Sequence, residues 1–140
     1  MQQIVFLDWS DVGDEDAEGW DQRRCLYSYR ARDGEILYIG KAWGQTVRER
    51  WCLSAKPIFW RELERQRRIF HHSVLVGTLA LCQGDRLTHA LLADVESLLI
   101  NRLQPWGNIQ SRASRIERPG LVVQLRGVPL AGRRKFRDVA

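Results

Sequence analysis

No stretch of the 140-residue chain approaches 18 consecutive apolar residues, which excludes a membrane-spanning helix as a reading of the sequence. The start, Met1-Gln2-Gln3 into Ile4-Val5-Phe6-Leu7, lacks the charged and long apolar regions of a signal peptide. A soluble, cytoplasmic protein without a membrane partner is expected. Cysteine is scarce: Cys25, Cys52 and Cys82 stand 27 and 30 residues apart, with no C-x-x-C pair. That odd count points to reduced thiols rather than a disulfide framework. His71-His72 does not complete the ligand spacing of a closed zinc site with them, so buried or neutral thiols are the reading. No internal repeat or low-complexity linker divides the chain, and 44% hydrophobic composition at this length suits one domain.

Basic residues are missing from the acidic start of the sequence. Residues 1–21 contain seven acids (Asp8, Asp11, Asp14, Glu15, Asp16, Glu18 and Asp21) and no Lys or Arg. The formal net charge of +5 therefore conceals a body of 119 residues with 22 bases and 10 acids, a surplus of 12. Arg outnumbers Lys there by 19 to 3, and guanidinium matches phosphate in a bidentate way, so a polyanionic partner is expected. The acidic loop imitates a calcium hand at Asp14, Asp16, Glu18 and Gly19, but Cys25 stands where the bidentate Glu is required.

Ile4–Leu7 reads as a short strand and Asp8–Asp21 as a loop. Leu26–Arg30 and Glu35–Ile39 form a hairpin signal around Asp33-Gly34. Thr46 followed by Glu49 is a capping box, which starts a helix at Thr46 with Arg48 in its first turn. A second helix is expected over Pro57–Phe70, a strand over Ser73–Leu81, and a helix from a cap at Asp85 to about Leu103, stopped by Pro105. Leu121–Leu125 reads as a strand, followed by a basic cluster at Arg133-Arg134-Lys135-Phe136-Arg137.

Glu96 is the anomaly of the third helix. Its neighbours three and four residues away are Leu92, Ala93, Leu99 and Ile100, so its carboxylate emerges among apolar side chains and needs a cation, either a metal or an Arg. The hairpin sets Tyr27 and Tyr38 on paired strands, with Gly40-Lys41 after the second. A Gly-permitted backbone approach, a Lys, an Arg and a capped helix start together favour phosphate.

These residues resemble the motifs of the GIY-YIG nuclease family. Cys25-Leu26-Tyr27 is similar to the first motif and Tyr38-Ile39-Gly40 to the second, with Lys41 following. The tyrosines are 11 apart, a spacing similar to that of the GIY-YIG domain in bacterial excision-repair nucleases, and Arg48 lies 10 after Tyr38, where the family's catalytic Arg is expected. Glu96-Ser97-Leu98-Leu99-Ile100 and Leu103-Gln104-Pro105-Trp106-Gly107-Asn108 are similar to the metal-binding Glu helix and its closing Pro and Asn. The resemblance covers Cys25–Asn108, about 60% of the chain. It departs at Cys25, where the family has Gly, and at Cys52, where several members carry His or Tyr. A thiol substitutes only weakly there at neutral pH, with His71, His72 or His89 as compensation.

The resemblance implies an α/β (α+β) fold, a small central sheet of about three strands flanked by helices. It divides the single domain into an acidic N-terminal strand and loop extension (1–21), a GIY-YIG-like nuclease core (22–112) and a basic C-terminal extension (113–140). It implies a DNA endonuclease in which Glu96 holds Mg²⁺ or Mn²⁺ and Tyr27 is the general base. Tyr38 contacts phosphate or water, Lys41 supplies positive charge, Arg48 stabilises the pentavalent phosphate and Asn108 orients the site. Arg61, Arg65, Arg67 and Arg68, with Arg112, Arg115 and Arg118, are the expected grip on duplex or branched DNA, with a targeting protein as a further partner. Trp43, Trp51 and Trp106 flank the motifs as core or stacking residues. The alternative is a catalytically silent nucleic-acid-binding module on the same fold; a protein-interaction domain using the acidic arm is a third class. That arm is also expected to fold over the basic groove as a phosphate mimic.

Overall fold

The computed structural model describes residues 3–12, 18–51, 56–82, 85–108 and 120–137. The hairpin forms where its turn signal lies: β2 (Cys25–Ala31) and β3 (Ile36–Ala42) pair antiparallel around Gly34 at φ 96°, a value that favours glycine. Asp33 Oδ1 accepts from the Glu35 backbone N–H at 2.9 Å and braces the turn. Tyr29 faces Tyr38 and Tyr27 faces Gly40 across the pair, so all three tyrosines share one sheet face.

The capping box is also present. Thr46 Oγ1 accepts from the Glu49 N–H at 3.1 Å, and Glu49 Oε1 accepts from the Thr46 N–H at 3.2 Å, opening α1 (Val47–Trp51). Next come α2 (Lys56–Arg67), β4 (His72–Ala80) and α3 (His89–Leu103). Thr88, not Asp85, caps α3, accepting from the Leu91 N–H at 3.1 Å, and Gln104 ends the helix in the left-handed region before Pro105.

The expected sheet of about three strands is corrected to six, in the order β3-β2-β4-β1-β5-β6, curled like half a barrel; the α+β class stands. The additional strands come from the two ends of the chain. β1 (Gln3–Asp11) runs four residues beyond the expected strand, because it is paired along both edges: antiparallel to β4 and parallel to β5 (Leu121–Gly127). The basic cluster supplies β6 (Lys135–Arg137) on the outer edge of β5. Acids placed in the loop reading sit on this strand and pair with distant arginines: Asp8 accepts from Arg126 at 2.7 and 2.8 Å, and Asp11 from Arg30 at 3.4 Å.

Two apolar clusters occupy the two faces of the sheet. Leu92, Val95 and Leu99 of α3 pack on Val5, Leu7, Leu26, Ile39 and Val123. Tyr27, Tyr29 and Val76 pack with Val47 and Leu63, with Phe59 and Trp60 at the margin. Among the described residues no helix is long and apolar enough to cross a membrane.

Candidate active site

Gly40 lies where the two faces meet at the β3 edge. A Cβ there would stand 2.5 Å from both Cζ and the hydroxyl oxygen of Tyr27 and 2.9 Å from Tyr38, so the absent side chain lets the Tyr27 ring lie across the strand. Tyr38 precedes this point on the tyrosine face, and Lys41 follows it on the α3 face. Glu96 rises from α3 to meet Lys41, with Nζ 3.4 Å from Oε1. The result is a cleft of about 450 Å³ lined by Tyr38, Lys41, Trp43, Gly44, Gln45, Arg50, His89 and Glu96.

The electrostatics follow from burial. The Glu96 side chain is 16% exposed, and desolvation raises its pKa above the ordinary carboxylate value against the opposing pull of Lys41 and, more weakly, Arg50 and His89. Tyr27 is fully buried, and its hydroxyl is pushed well above the usual phenol range, first by desolvation and then by Tyr38, with Arg50 acting against both. Burial thus favours the protonated hydroxyl, and the opposing pull of Arg50 is the positive charge that a general-base role for Tyr27 requires. Tyr29 shifts in the same direction for the same primary reason.

The arginine is the clearest discrepancy. Arg48 does not line the cleft; its Nε donates to Asp21 at 3.1 Å on the exposed side of α1. Arg50 lines the cleft instead, and its Nε is buried without a hydrogen-bond partner in the structure. Burial works against its charge, but the Tyr27 hydroxyl, Tyr38 and Glu96 more than offset that, and the guanidinium pKa is raised. Helical phase could have found it. Val47 must point inward, and Arg50, three residues on, falls within about 60° of it around the helix, whereas Arg48 is about 100° away. Val47 is indeed buried, at 1% exposure.

Asn108 acts as a short substitute strand. Its Oδ1 accepts from the Ile39 N–H and its Nδ2 donates to the Ile39 carbonyl, both at 2.8 Å, while the Gly107 N–H donates to the Leu37 carbonyl at 2.7 Å. The pairing holds β3 between Tyr38 and Gly40. Asn108→Ala leaves both Ile39 backbone groups buried without partners, at about 1–3 kcal/mol each. The melting temperature is expected to fall by roughly 10 °C in a thermal scan, with Asn108→Asp intermediate because it keeps the acceptor.

The expected grip residues are dispersed. Arg65 is paired with Glu62 at 2.8 Å, and Arg67 with both oxygens of Glu35 at 2.7 and 2.9 Å. Arg61 and Arg68 are exposed on and just after α2, and none of the four lines the cleft. Arg112, Arg115, Arg118 and Cys52 lie outside the described residues. The acidic arm does not cover the cleft with any described residue; Asp8, Asp11 and Asp21 pair with Arg126, Arg30 and Arg48. His72 stacks on Trp60, centroids 4.1 Å apart, away from the cleft, whereas His89 lies in it, 5.3 Å from the Trp43 ring. Trp106 packs against Phe59.

The donor set defines which metal the cleft suits. Among the described residues no group of three or more His, Cys, Asp or Glu converges, so a closed zinc site does not fit. One hard carboxylate opening into a polar cleft fits Mg²⁺ or Mn²⁺, which keep water and take oxygens from a substrate phosphate. No protein-family model, curated protein or solved structure matches the chain.

Proposed function

We propose that the chain is a cytoplasmic, metal-dependent endonuclease of the GIY-YIG type that hydrolyses DNA phosphodiester bonds. The observation that carries this reading is the meeting in one cleft of Glu96 with Tyr38, Lys41, Arg50 and His89, drawn from β3, α1 and α3. A desolvated carboxylate ringed by cationic and hydroxyl donors suits a phosphate ester, whose negative charge grows as water attacks phosphorus.

Glu96 would hold Mg²⁺ or Mn²⁺, which when bound supplies charge neutralisation and polarisation at the phosphate. Arg50, whose guanidinium lines the cleft, donates to the non-bridging oxygens. Tyr38 hydrogen-bonds the phosphate or the attacking water. His89 takes the proton from that water, since imidazole is the side chain type suited to proton exchange near neutrality. Lys41 opposes the effect of burial by favouring the ionised form of Glu96, and is displaced from it toward the phosphate. Tyr27 and Asn108 hold β3 in place.

The Lys41–Glu96 pair favours the silent-module reading, because a cation must displace it. Incubation with duplex, flap and four-way-junction DNA in Mg²⁺, Mn²⁺ or EDTA separates the two. Metal-dependent cutting of at least one substrate is expected. Tight binding with no cutting in either metal replaces the nuclease by the binding module.

A further inference from the structure

The basic run near the C-terminus is absorbed neither by the cleft nor by the α2 arginines. Phe136 is buried in the core beneath β6, and Arg133, Arg134, Lys135 and Arg137 are all exposed around it. Arg102, in the last turn of α3, joins them: its Nε donates to the Arg137 carbonyl at 3.1 Å, and Arg133 donates to the Arg102 carbonyl at 3.4 Å. Arg134 donates to the Gly127 carbonyl at 2.9 Å, and the Arg133 guanidinium lies 4.6 Å over the Phe136 ring. Among the described residues none of these five cations is paired with a carboxylate, in contrast to Arg65 and Arg67. Arg102, Arg133 and Arg134 are oriented by backbone carbonyls, the Asn101 side chain and a ring rather than neutralised, and most of the five N–H donors on each remain unused.

We propose that this β6 edge is a binding surface for the phosphate backbone of duplex DNA. Lys135 and Arg137 project from the sheet face opposite Phe136 while Arg102 and Arg133 lie on the Phe136 side, so the like charges flank both sides of one edge, and a polyanion relieves their repulsion. Four of the five are guanidiniums, the group that forks onto phosphate. Among the described residues the exposed large apolar side chains are Ile4, Ile58 and Phe70, none of them in the cluster, so it lacks the apolar wedge that an anionic membrane surface would engage. Arg102 is six residues beyond Glu96 on α3 and about 120° around it, and β6 is the sheet edge opposite β3, so this surface is separate from the cleft. The choice of DNA as the polyanion rests on the nuclease reading; the existence of the cationic surface does not.

Binding of a labelled duplex of about two helical turns is measured by anisotropy in EDTA across 50 to 200 mM salt. Each lost phosphate contact reduces the slope of log K against log salt by about 0.9, so Arg133→Gln/Lys135→Gln/Arg137→Gln is expected to reduce it by about 2.7. Lys135→Gln/Arg137→Gln, which keeps the Arg133–Phe136 contact, is expected to reduce it by about 1.8 and serves if the triple variant folds poorly. An unchanged slope in the folded variants overturns the proposal. So does capture of the wild type by phosphatidylserine vesicles without duplex binding. A wild type that binds with the expected slope loss in the variants, yet never cuts in Mg²⁺ or Mn²⁺, retains the surface and removes the nuclease. One that cuts while the variants keep its slope removes the surface alone.

Discussion

Glu96→Gln is expected to lower metal-dependent DNA cleavage by about a thousandfold or more, while raising the melting temperature of the metal-free protein at neutral pH. The first effect follows from losing the carboxylate in the cleft that can hold a divalent cation, with several kcal/mol of transition-state charge stabilisation. The second follows from the raised Glu96 pKa. An acid whose folded pKa exceeds its unfolded value binds protons preferentially in the folded state. Stability therefore falls as pH rises from the unfolded pKa through the folded one, and stays lower above it. A neutral amide of the same shape removes that cost, and Lys41, about one-third exposed, turns to water. The same linkage makes Mg²⁺ compete with a proton at Glu96, so wild-type cleavage should increase with pH over the acid range. Initial rates and thermal scans in EDTA on both proteins test the pair of effects. Equal cleavage by wild type and Glu96→Gln would falsify the assigned site, and a melting temperature lowered by the substitution would mean that the Lys41 pair outweighs desolvation.

A carboxylate desolvated at a strand edge and met there by a cation makes sense of the cleft's construction. The sheet contributes the two sides: Tyr38 belongs to the tyrosine face and Lys41 to the α3 face, and the strand edge at Gly40 is where both can address one ligand. An edge strand is the right place for this, because an interior strand would be blocked by its neighbour. The outer backbone groups of β3 are then satisfied by Gly107 and Asn108, which complete the edge without covering the cleft.

The parts legible in the sequence were those with local causes. Asp33-Gly34 requires a turn, Thr46 and Glu49 bind each other's backbone across one helical turn, and Pro105 cannot continue a helix. Glu96 among Leu92, Leu99 and Ile100 signalled a carboxylate in need of a cation, although the structure meets that need with Lys41. The sheet size was not legible, because the parallel pairing of Gln3–Asp11 with Leu121–Gly127 joins segments more than a hundred residues apart, and neither carries a mark of the other. The acids of the first segment misled for a related reason. The partner of Asp8, Arg126, is on the neighbouring strand and far from it in sequence. The depth of Tyr27 was likewise not legible, since its complete burial depends on the whole core and not on the residues adjacent in sequence.

The arginine prediction separates motif spacing from helical phase. Arg50→Ala should reduce single-turnover cleavage by about a hundredfold to a thousandfold, the range for removing one preorganised donor from a developing oxyanion. Arg50→Lys should recover only part of this, because an ammonium cannot present the guanidinium fork. Arg48→Ala should change the rate by no more than about threefold, since it removes an exposed pair with Asp21 of the kind worth at most about 1 kcal/mol. Spacing from Tyr38 favours Arg48; the capped start of α1, with Val47 turned into the core, favours Arg50. The two arginines are on one short helix and carry the same charge, so any general electrostatic attraction for DNA is lost nearly equally in both variants. A difference of two orders of magnitude between them can then come only from which side chain faces the reacting phosphate. Equal losses, or a larger loss from Arg48→Ala, would mean that α1 turns when DNA binds and that the spacing, not the phase, identifies the catalytic arginine.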